Sequence, residues 1–467
     1  MDAAGGHGIP PFGAPQRREP AFPDRLKGVI PAMKLEIGAF HVTDIVFGDH
    51  TGYSKGVLTV NKEELLKVVH EDEHITTADL KIVHPGDNVI LCPVKEAVEM
   101  RCKVSGGHGI FPGVLSQMEI AGSGRTHCLQ DCSLLVVGEH AGGFQDGLIP
   151  MGGKYQHHTI FGDMVNLVLV ADSDEDFERR EQQKKNHALR WAGMRLAEYI
   201  GQCVKDMEPE NIEVYDLPAI NERGAEVDKL PRVVYLLQPQ TQMEAMGYNT
   251  LIYGWDGNHI LPTFMHPNEL LDGCLVSGSF MPSSSKISTY EFAVNPMIKR
   301  LYAEHGKTIN FLGVVMSTLN VKMDEKVRCV KMAGQICRSL GVDAAVVVEE
   351  GYGNPDVDYT AMLVELERLG IKTVGLSDEC TGRDGASQPL VSMNPATDAL
   401  VSTGNVSQMY EFPKMEVIGE LEALARDGNS GGWEGCINPD GSFVMENNGL
   451  FCGNHISGYS RRSCADF

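Results

Sequence analysis

Short runs in which apolar and polar residues alternate dominate the first part of the chain. A period of two is typical of strands with one buried face, and glycine-rich turns separate the runs. Strands are predicted at 34–38, 56–60, 88–91 and 134–137. A short helix is expected at 62–69, with Asn61 as its N-cap. The pattern therefore predicts a β-rich N-terminal domain over residues 33–205.

The period changes between residues 174 and 204. Apolar side chains recur there at spacings of three and four, which predicts an amphipathic helix packed on the core. Residues 206–231 are polar and contain proline, and we interpret them as a connector. The first 32 residues are rich in proline and glycine and have no apolar period, so 1–32 is expected to be a disordered tail.

From residue 232 onward, continuous apolar runs alternate with helical periods. Strands are predicted at 233–237, 309–316, 342–348, 373–376 and 399–401, and helices at 324–340 and 358–369. Buried strands between amphipathic helices are typical of a parallel sheet covered on both faces. We therefore predict an α/β chain, in which the β-rich N-terminal domain is followed by a doubly wound, mostly parallel sheet domain at 232–467.

Polar loops follow three of these predicted strands. Residues 349–356 and 377–388 combine glycine with carboxylates, and residues 317–320 are also polar. Ligands of doubly wound sheets bind beyond the carboxyl ends of the strands, so we expect the site among these loops. The chain has neither a GxxxxGK[ST] nor a GxGxxG fingerprint, and no nucleotide cofactor is expected.

Charge and cysteine usage exclude other classes of function. The net charge of −23 argues against nucleic acid binding, because neutralising phosphates needs an excess of lysine and arginine. No run of about eighteen apolar residues occurs, so no membrane span is expected. The twelve cysteines form no CxxC pair, so no metal site is expected. Without a secretory signal, the thiols are expected to be reduced and the protein cytoplasmic.

Four glycine-rich motifs occur in order along the chain. They are GIFPGV with GSGRTH at 109–114 and 122–127, GFQDG at 143–147, EGYGNPDVD at 350–358 and GRDGASQ at 382–388. This series resembles the component B alpha and beta subunit proprotein of the glycine, sarcosine and betaine reductases, a family related to the D-proline reductase proprotein. The resemblance extends from Met33 almost to the C-terminus, with 33–205 as the part like the alpha subunit.

The resemblance implies the substrate-binding subunit of an amino-acid reductase, an oxidoreductase complex with a disulfide as acceptor. In this family a proprotein is cut before a Cys, which leaves two subunits and a pyruvoyl group that condenses with a small amine substrate. A selenocysteine- or cysteine-containing partner subunit then attacks the activated carbon and passes the product to a small selenoprotein A or thiol carrier. Condensation with the pyruvoyl group converts the substrate amine into an iminium. This conversion matters because an amine is otherwise a poor leaving group.

The candidate processing loop, 274–286, departs from the family pattern. By the register that the resemblance implies, the family's Asn-Cys pair falls on Ser279-Phe280 and its second Cys on Ser284. One alternative is that the chain stays uncut, as a binding or scaffold homologue without the carbonyl. The others are that a serine of the run at 283–285 forms the pyruvoyl group, or that Cys274 takes the role. An uncut chain would suit a quaternary amine, which leaves readily and cannot form an imine.

Several residues are candidates for the site. The candidate catalytic residues are Ser283, Ser284, Cys274 and Glu350, and the candidate substrate-binding residues are Arg125, His127, Asn354, Asp356, Arg383 and Asp384. Glu350 is a candidate general acid for the leaving amine. Arg125 suits a substrate carboxylate but equally suits a tie between two loops, and Arg383 with Asp384 equally suits a loop ion pair. Asp358 is expected to cap the helix that follows.

Overall fold

A computed structural model describes residues 33–140, 146–174, 182–243 and 249–459, apart from the side chains of residues 182–185. The predicted tail at 1–32 lies outside these residues, as does most of the GFQDG motif. The described residues from Met33 onward belong to one compact unit. They form a mixed α/β fold with several sheets.

The first half of the described chain consists mainly of strands. Its elements are β1 (Lys34–His41), β2 (Asp44–Phe47), β3 (Gly52–Ser54), β4 (Val57–Val60), α1 (Lys62–Val69), β5 (Ile75–Val83), β6 (Val89–Val98), β7 (Arg101–Ser105), β8 (Gly124–Gln130), β9 (Cys132–Val137), β10 (Gly147–Pro150), β11 (Val165–Ser173), α2 (Gln182–Gly201) and β12 (Asn211–Asp216). The predicted N-cap is confirmed, because Asn61 Oδ1 accepts hydrogen bonds of 3.1 Å from the backbone of both Glu63 and Glu64.

These strands form three sheets. The orders are β12-β1-β8-β7, β10-β6-β9-β11-β5 and β2-β4-β3. Strand β12 lies within the predicted connector and pairs antiparallel with β1. Its side chains are mostly exposed, including the apolar Ile212 and Val214, and it follows directly on a polar, proline-containing stretch.

The second half alternates strands and helices. Its elements are β13 (Arg232–Gln238), β14 (Leu251–Ile252), β15 (Trp255–Asp256), β16 (Thr263–Met265), α3 (Pro267–Leu271), β17 (Leu275–Val276), α4 (Thr289–Ala293), α5 (Pro296–Glu304), β18 (Asn310–Met316), α6 (Met323–Leu340), β19 (Ala344–Glu349), α7 (Asn354–Arg368), β20 (Lys372–Glu379), β21 (Ala399–Asn405), β22 (Met409–Phe412), β23 (Glu416–Gly419), α8 (Leu421–Arg426) and β24 (Phe443–Glu446). Strand β23 pairs with β6 of the first half.

The main sheet of the second half has the order β16-β18-β13-β19-β20-β21. All neighbours from β18 to β21 are parallel, and only the edge strand β16 is antiparallel. Alternate side chains of β13 bury on opposite faces. Val234 and Leu236 pack with α6 and α7, whereas Val233 and Tyr235 pack with α4 and α5. Both faces of the sheet therefore contribute to the core.

In the described part of the chain, no helix combines the length and apolar character that crossing a membrane requires.

Candidate functional site

The strand order places a crevice between β13 and β19. The chain passes from β13 to β18 on one side, then crosses to β19 on the other side of β13. The loops after β13 and β19 therefore leave in opposite directions, and such a point is where ligands bind in open α/β sheets. Gln238 and Glu349 are paired in the register at this end of the two strands.

A turn of three serines, Ser283–Ser285, lies in this crevice and is completely buried. The backbone N–H of Gly351 donates to the Ser285 carbonyl oxygen at 3.1 Å. Glu350 fixes the residues beyond the turn, because its Oε1 accepts the Ile287 N–H at 2.7 Å. The crevice is therefore filled by a segment of the chain that the resemblance had identified as the processing loop.

Glu350 ties this segment to the central strand. Its second oxygen, Oε2, accepts the Gln240 N–H at 2.9 Å, just beyond β13. Burial raises the pKa of Glu350 to about 7, and hydrogen bonds from Gln240 and Ile287 oppose that rise. A carboxyl group with this pKa can hold or release a proton at neutral pH.

Asp378, near the end of β20, binds the same turn. The Ser285 hydroxyl donates to its Oδ2, which also accepts the Asn454 Nδ2 at 2.9 Å. Burial raises the pKa of Asp378 to about 7, and these two hydrogen bonds oppose the rise. Two carboxyl groups that titrate near neutrality thus bind this segment, Asp378 through Ser285 and Glu350 through Ile287.

A segment near the C-terminus closes over the turn. Backbone N–H groups of Cys452 and Asn454 donate to the Ser283 and Ser284 carbonyl oxygens, at 2.9 and 3.0 Å. With Gly351, they give each of the three serine carbonyls a backbone donor. Asn454 also donates from its side chain to the Ser284 hydroxyl at 3.3 Å.

Gly147, the last residue of the GFQDG motif, packs directly on Ser283. A Cβ at this position would overlap the Ser283 hydroxyl and would lie 3.0 Å from the Phe451 Cα. The EGYGNPDVD motif reaches the turn through Glu350 and Gly351. Gly351 and Gly353 have φ of +79° and +83°, which turns the chain sharply between β19 and α7. Two widely separated motifs therefore meet at the serine turn.

Several buried polar atoms at the carboxyl ends of the strands lack hydrogen-bond partners. Within the described residues, no hydrogen bond reaches Gln238 Oε1, Ser317 Oγ, Glu349 Oε2 or Asp378 Oδ1. Buried polar groups are normally hydrogen-bonded. This edge of the sheet therefore retains hydrogen-bonding capacity for a polar ligand.

The acidic residues at the start of α7 have structural partners. Asp356 Oδ1 accepts the Gly353 N–H at 2.8 Å, and its Oδ2 accepts the Val391 N–H at 2.5 Å. The expectation that Asp358 caps the helix is wrong. The helix begins at Asn354, with Pro355 in its first turn. Asp358 therefore lies within the helix, where it forms an ion pair with Lys326 of α6. Capping is performed by Asp356.

Asn354 lies beside this pair. Its Oδ1 accepts hydrogen bonds from Lys326 Nζ at 2.7 Å and from Gln242 Nε2 at 2.8 Å.

The GRDGASQ loop follows β20. Arg383 donates to Glu446 Oε1 at 2.7 Å, and its guanidinium lies 4.7 Å from the centre of the Trp433 ring. Asp384 is exposed and accepts the Ala386 N–H at 3.1 Å. These contacts place Arg383 and Asp384 in a surface loop.

Arg125 and His127 lie on β8, in a sheet of the first half. Arg125 donates to Glu36 Oε2 at 2.6 and 2.9 Å. His127 is buried, with its Nδ1 2.8 Å from the Val204 carbonyl oxygen. No described contact joins either residue to the serine turn.

The candidates for a pyruvoyl precursor differ in their surroundings. A precursor side chain needs a base that takes up its proton while it attacks the preceding carbonyl carbon. Ser283 and Ser284 hydrogen-bond no carboxylate in the described part of the chain, and burial raises the pKa of the Cys274 thiol well above its usual value. These three residues do not fit the group. Ser285, through Asp378, is the serine of the run with a carboxyl acceptor.

The sequence singled out the serine run and Glu350, and the structure brings them together. The sequence pattern did not single out Lys286, Asp378 or Asn454. Asp378 stood in a loop expected near the site, but Asn454 is 76 residues further along the chain and follows no recognisable motif.

Comparison with known proteins identifies the family. The family model for glycine/sarcosine/betaine reductase component B subunits matches residues 33–465. The chain is 58% identical to the betaine reductase complex component B subunit alpha of Peptoclostridium acidaminophilum, over 93% of this chain and 100% of that protein. The chain therefore belongs to the family of glycine/sarcosine/betaine reductase component B subunits, which are components of oxidoreductase complexes.

Other relatives carry different substrate names. The glycine reductase complex component B subunits alpha and beta of the same organism are 40% identical, over 89% of this chain and 95% of that protein. The sarcosine reductase complex component B subunit alpha is 36% identical, over 92% of this chain and 99% of that protein. No solved structure matches the chain.

Proposed function

We propose that this chain binds a small N-methylated amino acid against the serine turn that fills the crevice beyond β13, β19 and β20. It presents the carbon–nitrogen bond for reductive cleavage by a selenocysteine- or cysteine-containing partner subunit. The observation that carries the proposal is that the segment 283–287 binds both Asp378, through Ser285, and Glu350, through Ile287, because the resemblance locates the family's substrate chemistry on this loop. The product would pass to a small selenoprotein A or thiol carrier.

Betaine, N,N,N-trimethylglycine, is the substrate that fits the chain best. The relative named for betaine is 58% identical, against 40% and 36% for those named for glycine and sarcosine. A quaternary nitrogen leaves as a neutral amine when a partner's selenolate or thiolate attacks the neighbouring methylene carbon. The electron pair of the broken bond goes to the nitrogen, and neither an iminium nor a proton donor is required.

The charge of the crevice supports a cationic substrate. A trimethylammonium group cannot donate a conventional hydrogen bond, so nearby negative charge and aromatic faces recognise it. Glu350 and Asp378 each have a pKa of about 7, so both are partly ionised at neutral pH. A bound cation would favour their ionised forms. In this role Glu350 stabilises the substrate's charge instead of protonating a leaving group.

The same proposal removes the need for a pyruvoyl group. Ser283, Ser284 and Cys274 do not fit a precursor, and by the register that the resemblance implies, Phe280 and Ser284 stand where the family has its Cys residues. The hydrogen bond from Ser285 to Asp378 favours Ser285 as the precursor in the alternative, processed form. We propose the uncut form, because a quaternary amine cannot form an imine with a carbonyl group.

The domain organisation is proposed along with the function. We infer that residues 232–467 form a doubly wound domain that carries the site. Residues 33–205 form a β-rich domain, and 206–231 connect the two. Support comes from the strand order β18-β13-β19-β20-β21 and from helices packed on both faces of that sheet.

Substrate turnover by the assembled complex tests the function. The chain is purified with its partner subunit, supplied with carrier and dithiol, and offered betaine, sarcosine or glycine. The proposal predicts release of trimethylamine from betaine at a rate at least about tenfold above amine release from the other two. Equal or faster cleavage of glycine or sarcosine would refute the substrate assignment.

A charge variant tests the site. Glu350→Gln is expected to raise the KM for betaine about tenfold, equivalent to about 1.4 kcal/mol. The matched variant Glu422→Gln changes an exposed carboxylate of α8 and should leave KM unchanged. Unaltered KM in Glu350→Gln would place the substrate elsewhere.

A further inference from the structure

Lys286 differs from the other buried lysines among the described residues. Lys95, Lys103 and Lys326 are each buried against a carboxylate, from Asp146, Asp272 and Asp358 respectively. Lys286 is the most buried of the four, with no exposed surface, yet no carboxylate of the described residues lies within 4.0 Å of its Nζ. Its hydrogen bond is to the Lys95 carbonyl oxygen at 3.4 Å.

The carboxylate that acts most strongly on Lys286 is already engaged. Glu96 acts on Lys286 electrostatically, but its Oε2 accepts two hydrogen bonds from Arg190, at 2.7 and 3.0 Å. Its Oε1 accepts the backbone N–H of Thr289 at 3.2 Å. The Lys286 ammonium also lies 5.5 Å from the centre of the Phe451 ring. Glu96 and Glu350 act on this buried ammonium electrostatically, but no carboxylate of the described residues pairs with it directly to compensate its loss of hydration.

The position of Lys286 connects it to the site. It lies between Ser285, which binds Asp378, and Ile287, which binds Glu350. Ser283, three residues earlier, is also completely buried, and no hydrogen bond of the described residues reaches its Oγ. Phe451 lies near both Lys286 and Ser283. Its backbone packs against Gly147, which contacts Ser283, and its ring faces the Lys286 ammonium. One segment thus provides a cation and a free hydroxyl donor next to two carboxyl groups.

We propose that Lys286 binds the carboxylate of the substrate amino acid. This inference rests on the proposed function and adds recognition of the substrate's carboxylate end to recognition of its trimethylammonium end. The carboxylate pairs with the Lys286 ammonium, and the Ser283 hydroxyl donates to it. The trimethylammonium end lies toward Glu350 and Asp378. A zwitterion therefore meets charges of opposite sign, the cation from this segment and the carboxyl groups from Glu350 and Asp378, which bind the segment.

The test compares two ligands on three proteins by calorimetry, using the full chain in complex with its partner subunit. The ligands are betaine and its methyl ester, which keeps the trimethylammonium group and lacks the negative charge. The wild-type protein is expected to bind betaine at least about tenfold more tightly than the ester. In Lys286→Met this preference should fall to about one. The matched variant Lys326→Met, which removes a lysine paired with Asp358, should keep the wild-type preference.

The outcomes separate the two proposals. If Lys286→Met keeps the preference for betaine over the ester, or weakens both ligands equally, the carboxylate role is overturned while the function stands. If the wild-type protein binds neither ligand, the proposed function fails and this inference fails with it. Should Lys286→Met not fold, the wild-type comparison still decides, because equal binding of betaine and ester would exclude any carboxylate partner.

Discussion

The backbone N–H of Gly351 donates a hydrogen bond of 3.1 Å to the carbonyl oxygen of Ser285. This bond joins the loop after β19 to the serine turn, 66 positions earlier in the numbering of the two residues. Because Glu350 binds Ile287 beside it, the loop and the turn form one rigid unit. Substitutions that displace the turn are therefore expected to change both stability and substrate binding.

Gly147 provides the first prediction. Gly147→Ala introduces a Cβ that overlaps the Ser283 hydroxyl and is limited on its other side by the Phe451 backbone. Overpacking of this kind is expected to lower the free energy of unfolding by about 1–3 kcal/mol. Urea denaturation measures the change. The control is Gly224→Ala, where nothing lies within 4 Å of the added carbon, and it should shift stability by at most about 0.5 kcal/mol. Equal effects of the two variants would show that the contact with Ser283 does not constrain the turn.

Asp378 provides a prediction about pH. Its pKa is about 7 in the folded protein, against a usual 3.8, so the folded state holds a proton that the unfolded chain releases. Stability should therefore fall as the pH rises from about 4 to about 7, by roughly 4 kcal/mol from this group. Glu350, with a pKa of about 7, acts in the same direction.

Asp378→Asn removes one of these two groups. The difference in unfolding free energy between pH 5 and pH 8 is expected to shrink, while the part due to Glu350 remains. The exposed variant Asp398→Asn, which loses a 3.4 Å pair with Lys372, should keep the wild-type pH dependence. A pH dependence that is the same in Asp378→Asn as in the wild type would mean that this carboxyl titrates normally.

Cysteine reactivity provides a test of Cys274. Burial raises the pKa of this thiol well above its usual value and shields it from reagents. Cys203 is partly exposed, and burial raises its pKa to about 11. Iodoacetamide at pH 8 is therefore expected to modify Cys203 at least tenfold faster than Cys274, as followed by peptide mass spectrometry. Faster modification of Cys274 would restore it as a candidate nucleophile.

The regular elements could be predicted where burial is strong. The strands β13, β18 and β19 are continuous apolar runs, and α6 shows a clear helical period, so all four were expected within a few residues. Strand β12 was not expected, because it is an edge strand with mostly exposed side chains. Helix α7 begins four residues before the predicted start, since Pro355 suits the first turn and Asp356 supplies the cap.

The site was only partly predictable for a different reason. The serine run and Glu350 carry local signals, namely a missing Cys and a carboxylate after a buried strand. The partners that define their chemistry are distant in sequence. Asp378 is 93 residues from Ser285, and Asn454 is 170 residues from Ser284. A lysine such as Lys286 also looks like a surface residue until the fold shows that it is buried without a carboxylate.

A chain that binds a quaternary amine in this way holds its substrate without a carbonyl group of its own. The most direct measurement is the intact mass of the protein purified from cells that make the active complex, before and after treatment with a hydrazine that labels carbonyls. We expect a single uncut chain whose mass does not change on treatment. Two fragments divided within residues 279–285, with the label on the second fragment, would contradict it.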